Sequence, residues 1–203
     1  SRPSYASMPS GNDLSNVGTA GYIGLENRSD QKLVIVNKGP EEKGFELCQE
    51  CGAIEPAIID EKERMKRKRP YRIPYLKDDT MRCRHNYRNV YLGYEFNTDM
   101  MVMEIKLDGE KLDLYSPYNV WLLTALTTFS EALVLATSRE LDVEFNDIKS
   151  GFRLRTSGAQ MYADVYLYDS LSSGAGYASR ASSYIEEILD KMREILLGCK
   201  CAN

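Results

Sequence analysis

The chain has 203 residues, 43% of them hydrophobic, and a net charge of −4 from 26 basic and 30 acidic side chains. That composition excludes disorder and a fibrous class, and the length suits one medium domain with a real core. The acidic balance excludes a protein that coats nucleic acid with its whole surface, since nonspecific phosphate binding rests on net positive charge; any such contact has to be local.

Residues 1–19 are rich in Ser, Gly, Pro and Asn, the composition of a linker or arm leading into a single domain over residues 20–203. Residues 22–25 and 33–37 are β-branched runs separated by the turn-prone Asn27-Arg28-Ser29-Asp30, which predicts a hairpin. Asn37-Lys38-Gly39-Pro40 then breaks the chain, and Gly44-Phe45-Glu46-Leu47 delivers a first pair of cysteines from a strand end.

Those cysteines stand in Cys48-Gln49-Glu50-Cys51-Gly52, and after a long insert come Cys83-Arg84-His85. A Cys-x-x-Cys turn followed by Gly lets both thiolates face one metal ion. With Cys83 and His85 the set becomes three thiolates and one imidazole, a tetrahedral zinc set with no position left for a reactive water. The predicted role of Zn2+ is therefore structural: it orders an insert with too few apolar groups to fold alone. The competing reading makes the cysteines small buried apolar residues and His85 a surface side chain. The insert carries Lys62, Arg64, Lys66, Arg67, Lys68, Arg69 and Arg72 before Pro74, the densest positive charge in the chain. It reads either as a solvated loop or as a set of backbone contacts on nucleic acid. His85 is the only histidine. As a ligand it leaves no imidazole for general base work, so a Ser-His-Asp or Cys-His hydrolase cannot be built from this chain alone.

Residues 89–96 and 98–107 are rich in aromatic and β-branched residues and predict a second antiparallel pair, with Met101, Met103 and Ile105 alternating against Val102, Glu104 and Lys106. Asn119 is expected to cap a long helix in which Leu122, Leu126, Phe129, Leu133 and Ala136 recur at helical spacing. Residues 120–135 are also the longest apolar-rich stretch. Thr124, Thr127, Thr128, Ser130 and Glu131 interrupt it, so no membrane span and a soluble protein are expected. Residues 142–148, 151–155 and 163–168 read as strands, and a final helix is predicted from about Gly176 to Gly198. The predicted class is α+β: antiparallel strands packed on two long helices, with a zinc-bound basic insertion at residues 48–85.

Between the last strand and the last helix lies Asp169-Ser170-Leu171-Ser172-Ser173-Gly174-Ala175-Gly176-Tyr177. Its glycines permit tight turns, and Ser172, Ser173 and Gly174 together with free amides at the helix start form a candidate grip on a nucleic-acid phosphate. The alternative is a Gly-permitted turn with a Ser cap. The stretch lacks a P-loop Lys and is not G-x-G-x-x-G. No carboxylate spacing selects an acid pair, so no catalytic residue is assigned.

Five cysteines, an odd number in two close pairs and one single, suit metal binding in a reducing, cytoplasmic compartment better than a disulfide framework. Cys199 and Cys201 look like the opening half of a second, incomplete knuckle. With the start at Ser1-Arg2-Pro3, they read as marks of a fragment of a longer protein.

Five stretches, taken in order, resemble the MrfA zinc-binding (MZB) domain: residues 44–52, Cys83-Arg84-His85, Leu92-Gly93-Tyr94-Glu95-Phe96-Asn97-Thr98-Asp99, residues 168–177, and Cys199-Lys200-Cys201. Such domains accompany superfamily 2 DNA helicases and occur in the DrmB component of the DISARM phage-defence system. In them the terminal motif continues to two more cysteines and forms a four-thiolate zinc site, of which Cys199 and Cys201 match the first half. The resemblance implies a noncatalytic zinc-binding accessory domain that supports DNA binding or assembly, with DNA and a helicase motor domain or subunit as partners. No Walker-type Gly-x-x-x-x-Gly-Lys-Ser/Thr or Asp-Glu-x-His is present, so ATPase activity would belong to another domain or subunit. Two other classes stay open: a protein-interaction module docking its basic loop on a motor subunit, and a metal-dependent nuclease or hydrolase working at residues 169–176.

Overall fold

The computed structural model describes residues 3–5, 15–17, 23–57, 73, 77, 86–109 and 120–199. Its elements, in order, are β1 (Pro3–Tyr5), β2 (Ser15–Val17), β3 (Ile23–Asn37), β4 (Phe45–Cys48), β5 (Ile54–Pro56), β6 (Tyr87–Val90), β7 (Leu92–Leu107), α1 (Val120–Leu141), β8 (Ile148–Ser157), β9 (Gln160–Asp169), α2 (Tyr177–Ser183) and α3 (Ile185–Leu197), with a short 3-10 turn at Pro40–Glu42. The class is α+β with antiparallel sheets, as the alternation of strand and helix patterns predicts. The chain gathers into two compact units, one from Ser1–Pro3 and Val34–Tyr94 and the other from Ser4–Leu33 and Glu95–Asn203. The smaller unit is broader than the predicted insertion, because it takes in β4 and β6 on either side.

A six-stranded sheet runs in the order β1-β3-β7-β9-β8, with β2 also paired to β3. Period-2 alternation sorts its two faces. On one face of β9, Ala163, Val165 and Leu167 lie opposite Ile105, Met103 and Met101 of β7 and join a core with Leu126, Leu133 and Ala136 of α1 and Ile188 of α3. On the other face Tyr166 and Tyr168 cluster with Leu33, Met100 and Val102. Tyr166 is registered against Gly151, where a Cβ would fall 2.6 Å from the tyrosine hydroxyl, so the glycine makes room for the ring. The same face holds Asp164, fully buried, between the guanidinium Nε atoms of Arg153 (2.9 Å) and Arg155 (3.1 Å). Arg155 also pairs with Glu104, whose position on β7 is opposite Asp164.

Several expectations differ from this arrangement. Residues 89–96 and 98–107 do not pair with each other: they fall in β6, which pairs with β4, and in the one long strand β7, which pairs with β9. The hairpin expected from residues 22–37 is one continuous strand: Arg28 reaches back to Glu26 with both Nε and Nη2 (3.0 and 3.1 Å) and forward to Gln31 (3.2 Å). The Glu26–Arg28 contact joins neighbours on one face of an extended chain, and the irregularity is confined to Asp30 at φ +53. The final helix is two helices, since Tyr184 between them leaves helical geometry (φ −119, ψ 25). Only α1 is long, and it ends in a Schellman-type turn, Asp142 at φ +52 with Val143 N–H donating to Ser138 O at 3.1 Å. That turn and the turns after it take the place of the strand expected over residues 142–148, of which Ile148 alone is in a strand, as the first residue of β8.

A further difference concerns α1, which by length and composition is long and apolar enough to cross a membrane. The threonines expected to break its apolar run do not. Thr124, Thr127 and Thr128 each donate the hydroxyl to the carbonyl four residues back, at 2.7, 2.7 and 3.0 Å, and turn methyl groups outward. The C-terminal half of the helix is packed into the core, with Leu133, Ala136 and Thr137 fully buried. The predicted cap Asn119 lies outside the described residues.

Candidate functional site

The first cysteine pair sits at the end of β4, in a three-stranded sheet ordered β5-β4-β6 within the smaller unit. Gly52 N–H donates to Cys48 O at 2.9 Å and Cys48 N–H to Ala53 O at 2.9 Å, which closes the turn, and Gly52 occupies φ +72, where a side chain would be strained. Cys51 N–H points at Cys48 Sγ at 3.5 Å. An amide aimed at sulfur is an outer-shell contact that orients a thiolate ligand and offsets its charge. Both thiols are buried, at 0% and 5% exposure, in a cluster with Ala53 against which Ile73 and Tyr87 pack. Tyr87 is registered directly opposite Cys48. Two thiols turned together by a Cys-x-x-Cys-Gly turn with an N–H···S contact are a fit half-site for zinc. Cys83 and His85, the other half of the predicted set, lie outside the described residues, as do Lys66, Arg67, Lys68, Arg69 and Arg72. At the far end Cys199 is exposed, and Cys201 is also outside the described residues.

The serine-glycine stretch is organised by a residue that its motif-like appearance concealed. Asp169, the last residue of β9, is fully buried and accepts three backbone N–H groups: Ala175 (2.5 Å) and Tyr177 (3.1 Å) at Oδ2, and Ala178 (2.8 Å) at Oδ1. It is a helix cap delivered from upstream, and a carboxylate at the positive end of α2 suits the helix dipole. The helix amides expected to be free for a phosphate are therefore occupied. Ser173 N–H donates to Asn97 O (2.8 Å) and Gly174 N–H to Leu171 O (3.1 Å). Thr98 Oγ1 lies 2.8 Å from Asp169 O and 3.0 Å from Leu171 O and pins the loop from below. Gly174 is obligatory twice over: it sits at φ +72, and a Cβ there would meet Asp99 Oδ2 at 2.6 Å and Asp99 N at 3.0 Å. Ser172 and Ser173 are exposed, so what they present outward is hydroxyl rather than a cradle of amides.

The same geometry answers the hydrolase reading. A carboxylate with no exposed surface, both oxygens taken up by amides, is placed to hold a turn and not to meet a substrate. Sequence reasoning missed this role, though the signal was there: an acidic residue closing a strand just before a Ser-Gly turn and a helix. It also missed Ile73 and Tyr87, whose apolar bulk beside the cysteines has no motif.

Fold and knuckle together define a small α+β module with a cysteine turn on its own three-stranded sheet. Residues 129–203 match the MrfA Zn-binding domain, a family whose metal is zinc. The matched span contains Cys199 and Cys201 but not Cys48 or Cys51. Druantia protein DruE of Escherichia coli (strain UMEA 4076-1) is 36% identical over 191 residues, covering 89% of this chain and 10% of DruE. The DUF1998 helicase MrfA, in a crystal structure bound to DNA, shares the fold at a TM-score of 0.54 and 12% identity, over 98% of this chain and 21% of MrfA. The chain thus spans about a tenth of one relative and about a fifth of the other.

Proposed function

We propose that this chain is a noncatalytic, zinc-dependent accessory domain of a superfamily 2 DNA helicase or phage-defence complex, contacting DNA through the basic segment that the knuckle ties down. The observation that carries the reading is the knuckle itself, with Tyr87 registered opposite Cys48 and Ile73 packed on the same cluster. His85 is two residues from Tyr87, so chain length alone keeps their Cα atoms within about 7 Å. Ile73 anchors the other end of the stretch that carries Cys83 and His85, and it also ends the stretch from Lys66 to Arg72. Zinc held by Cys48, Cys51, Cys83 and His85 would draw that stretch into a closed loop and concentrate its charge. Cys199 and Cys201, which lie in the matched span, would contribute to a second, incomplete site. The likeness to a DNA-bound helicase supports DNA as the partner, and the motor belongs to another domain or subunit.

The loop would neutralise backbone phosphates without reading sequence, with Ser172, Ser173 and Gly174 as a lesser contact made by hydroxyls. Binding is then salt-sensitive, with a slope of about −0.9 in log–log terms for each phosphate neutralised on duplex. The test is a gel-shift titration at several salt concentrations on wild type and on a variant with Lys66, Arg67, Lys68 and Arg69 all changed to Gln. The variant should bind more weakly and with a shallower slope. Equal affinity and slope would reject the loop as the contact. Metal analysis in parallel should show Cys48→Ser losing one zinc per chain; an unchanged zinc content removes the knuckle from the proposal.

A further inference from the structure

The N-terminal half of α1 is core-like in composition yet open. From Val120 to Ser130 it carries no charged residue, and Val120, Trp121 and Leu123 are 67%, 47% and 42% exposed. The three threonines on this stretch have their hydroxyls turned onto the helix backbone, so they add methyl surface rather than polar surface. Val120, Trp121, Thr124, Thr128 and Phe129 line a concavity of about 650 Å³ that Leu196 of α3 closes on one side, and the adjacent Leu197 is 75% exposed. An apolar patch that spans two helices and is hollow at its centre is the mark of an interface with a pocket for an anchor side chain.

We infer that this groove docks an apolar face of the longer polypeptide in which the module is embedded. Two observations select that occupant. Both relatives align with nearly the whole of this chain, yet it makes up only 10% of one and 21% of the other, so in each the module has most of a large chain as a tethered neighbour. Tethering raises the effective concentration of such a neighbour far above that of any free partner. The described residues that line the groove are uncharged, which favours an apolar protein face over a phosphate as its ligand.

The experiment uses the full-length protein with protease sites engineered on either side of the module. After cleavage, the wild-type module should stay with the remainder on gel filtration. Thr124→Glu, and separately Thr128→Glu, should weaken that retention at least tenfold, while the cut module keeps its circular dichroism and Tm because both positions are exposed. Three results overturn the inference: a wild-type module that leaves on cleavage, variants that are retained like wild type, or a cut module that instead self-associates or binds phosphatidylcholine vesicles through the same groove. A loss of Tm in one variant leaves the other to decide.

Discussion

Around α1 the larger unit buries Leu126, Leu133 and Ala136 against Met101, Met103, Val165 and Leu167, a core that apolar burial alone can hold. In the smaller unit the buried apolar cluster among the described residues is Cys48, Cys51 and Ala53, with Ile73 and Tyr87 packed against it. Three small side chains cannot offset the entropy of ordering a three-stranded sheet and its loops. The larger unit is therefore stable by packing, whereas under the proposed function the smaller one would draw on its cysteines as ligands. On that reading the two thiols, buried among the described residues of the smaller unit, would let a metal stand in for apolar volume.

The sharpest way to break that contrast is chelation. Removing zinc should abolish hydrogen-exchange protection in β4, β5 and β6 while leaving β8 and β9 protected; equal loss in both, or loss in neither, would show that the two are not separately stabilised. A smaller effect is expected at Asp169. Asp169→Ala leaves three N–H groups without their acceptor, at a cost of about 3 kcal/mol. In a protein of this size that corresponds to a Tm lower by roughly 10 °C. A drop confined to a degree or two would mean that water replaces the carboxylate. The smallest effect has the opposite sign. Thr137 is fully buried in the larger unit and its hydroxyl has no hydrogen-bond partner among the described residues, so Thr137→Val should stabilise by about 1 kcal/mol, read as a higher Tm.

The contrast also explains what could be read in advance. Elements in the larger unit were legible wherever one face is buried: α1 from its apolar spacing, β7 and β9 from their alternation. The hairpin expected at residues 22–37 failed because turn propensity at Asn27-Arg28-Ser29-Asp30 is local, whereas the contacts that hold Asp30 are distant in sequence: its N–H donates to Asp99 Oδ1 (3.3 Å) and its carboxylate accepts from Asn97 (2.9 Å). The single final helix failed at Tyr184, since helical spacing on both sides does not reveal a break between them. The cysteine turn was legible because its chemistry is written in four consecutive residues and a glycine. The phosphate-like look of residues 169–177 misled for a related reason. Amides at a helix start invite an anion, and here the chain supplies its own in Asp169.

β9 carries a further consequence. Its odd-numbered residues Ala163, Val165 and Leu167 feed one core and its even-numbered Asp164, Tyr166 and Tyr168 the other face. A single-residue insertion or deletion within it would drive a carboxylate into the helix-packed side and a valine between two arginines. Length variation over evolution should thus spare this strand and accumulate in the turn at Gly158, where a side chain would meet nothing within 4 Å. The strand works as a ruler for the fold: it tolerates substitution in place far better than any change of count.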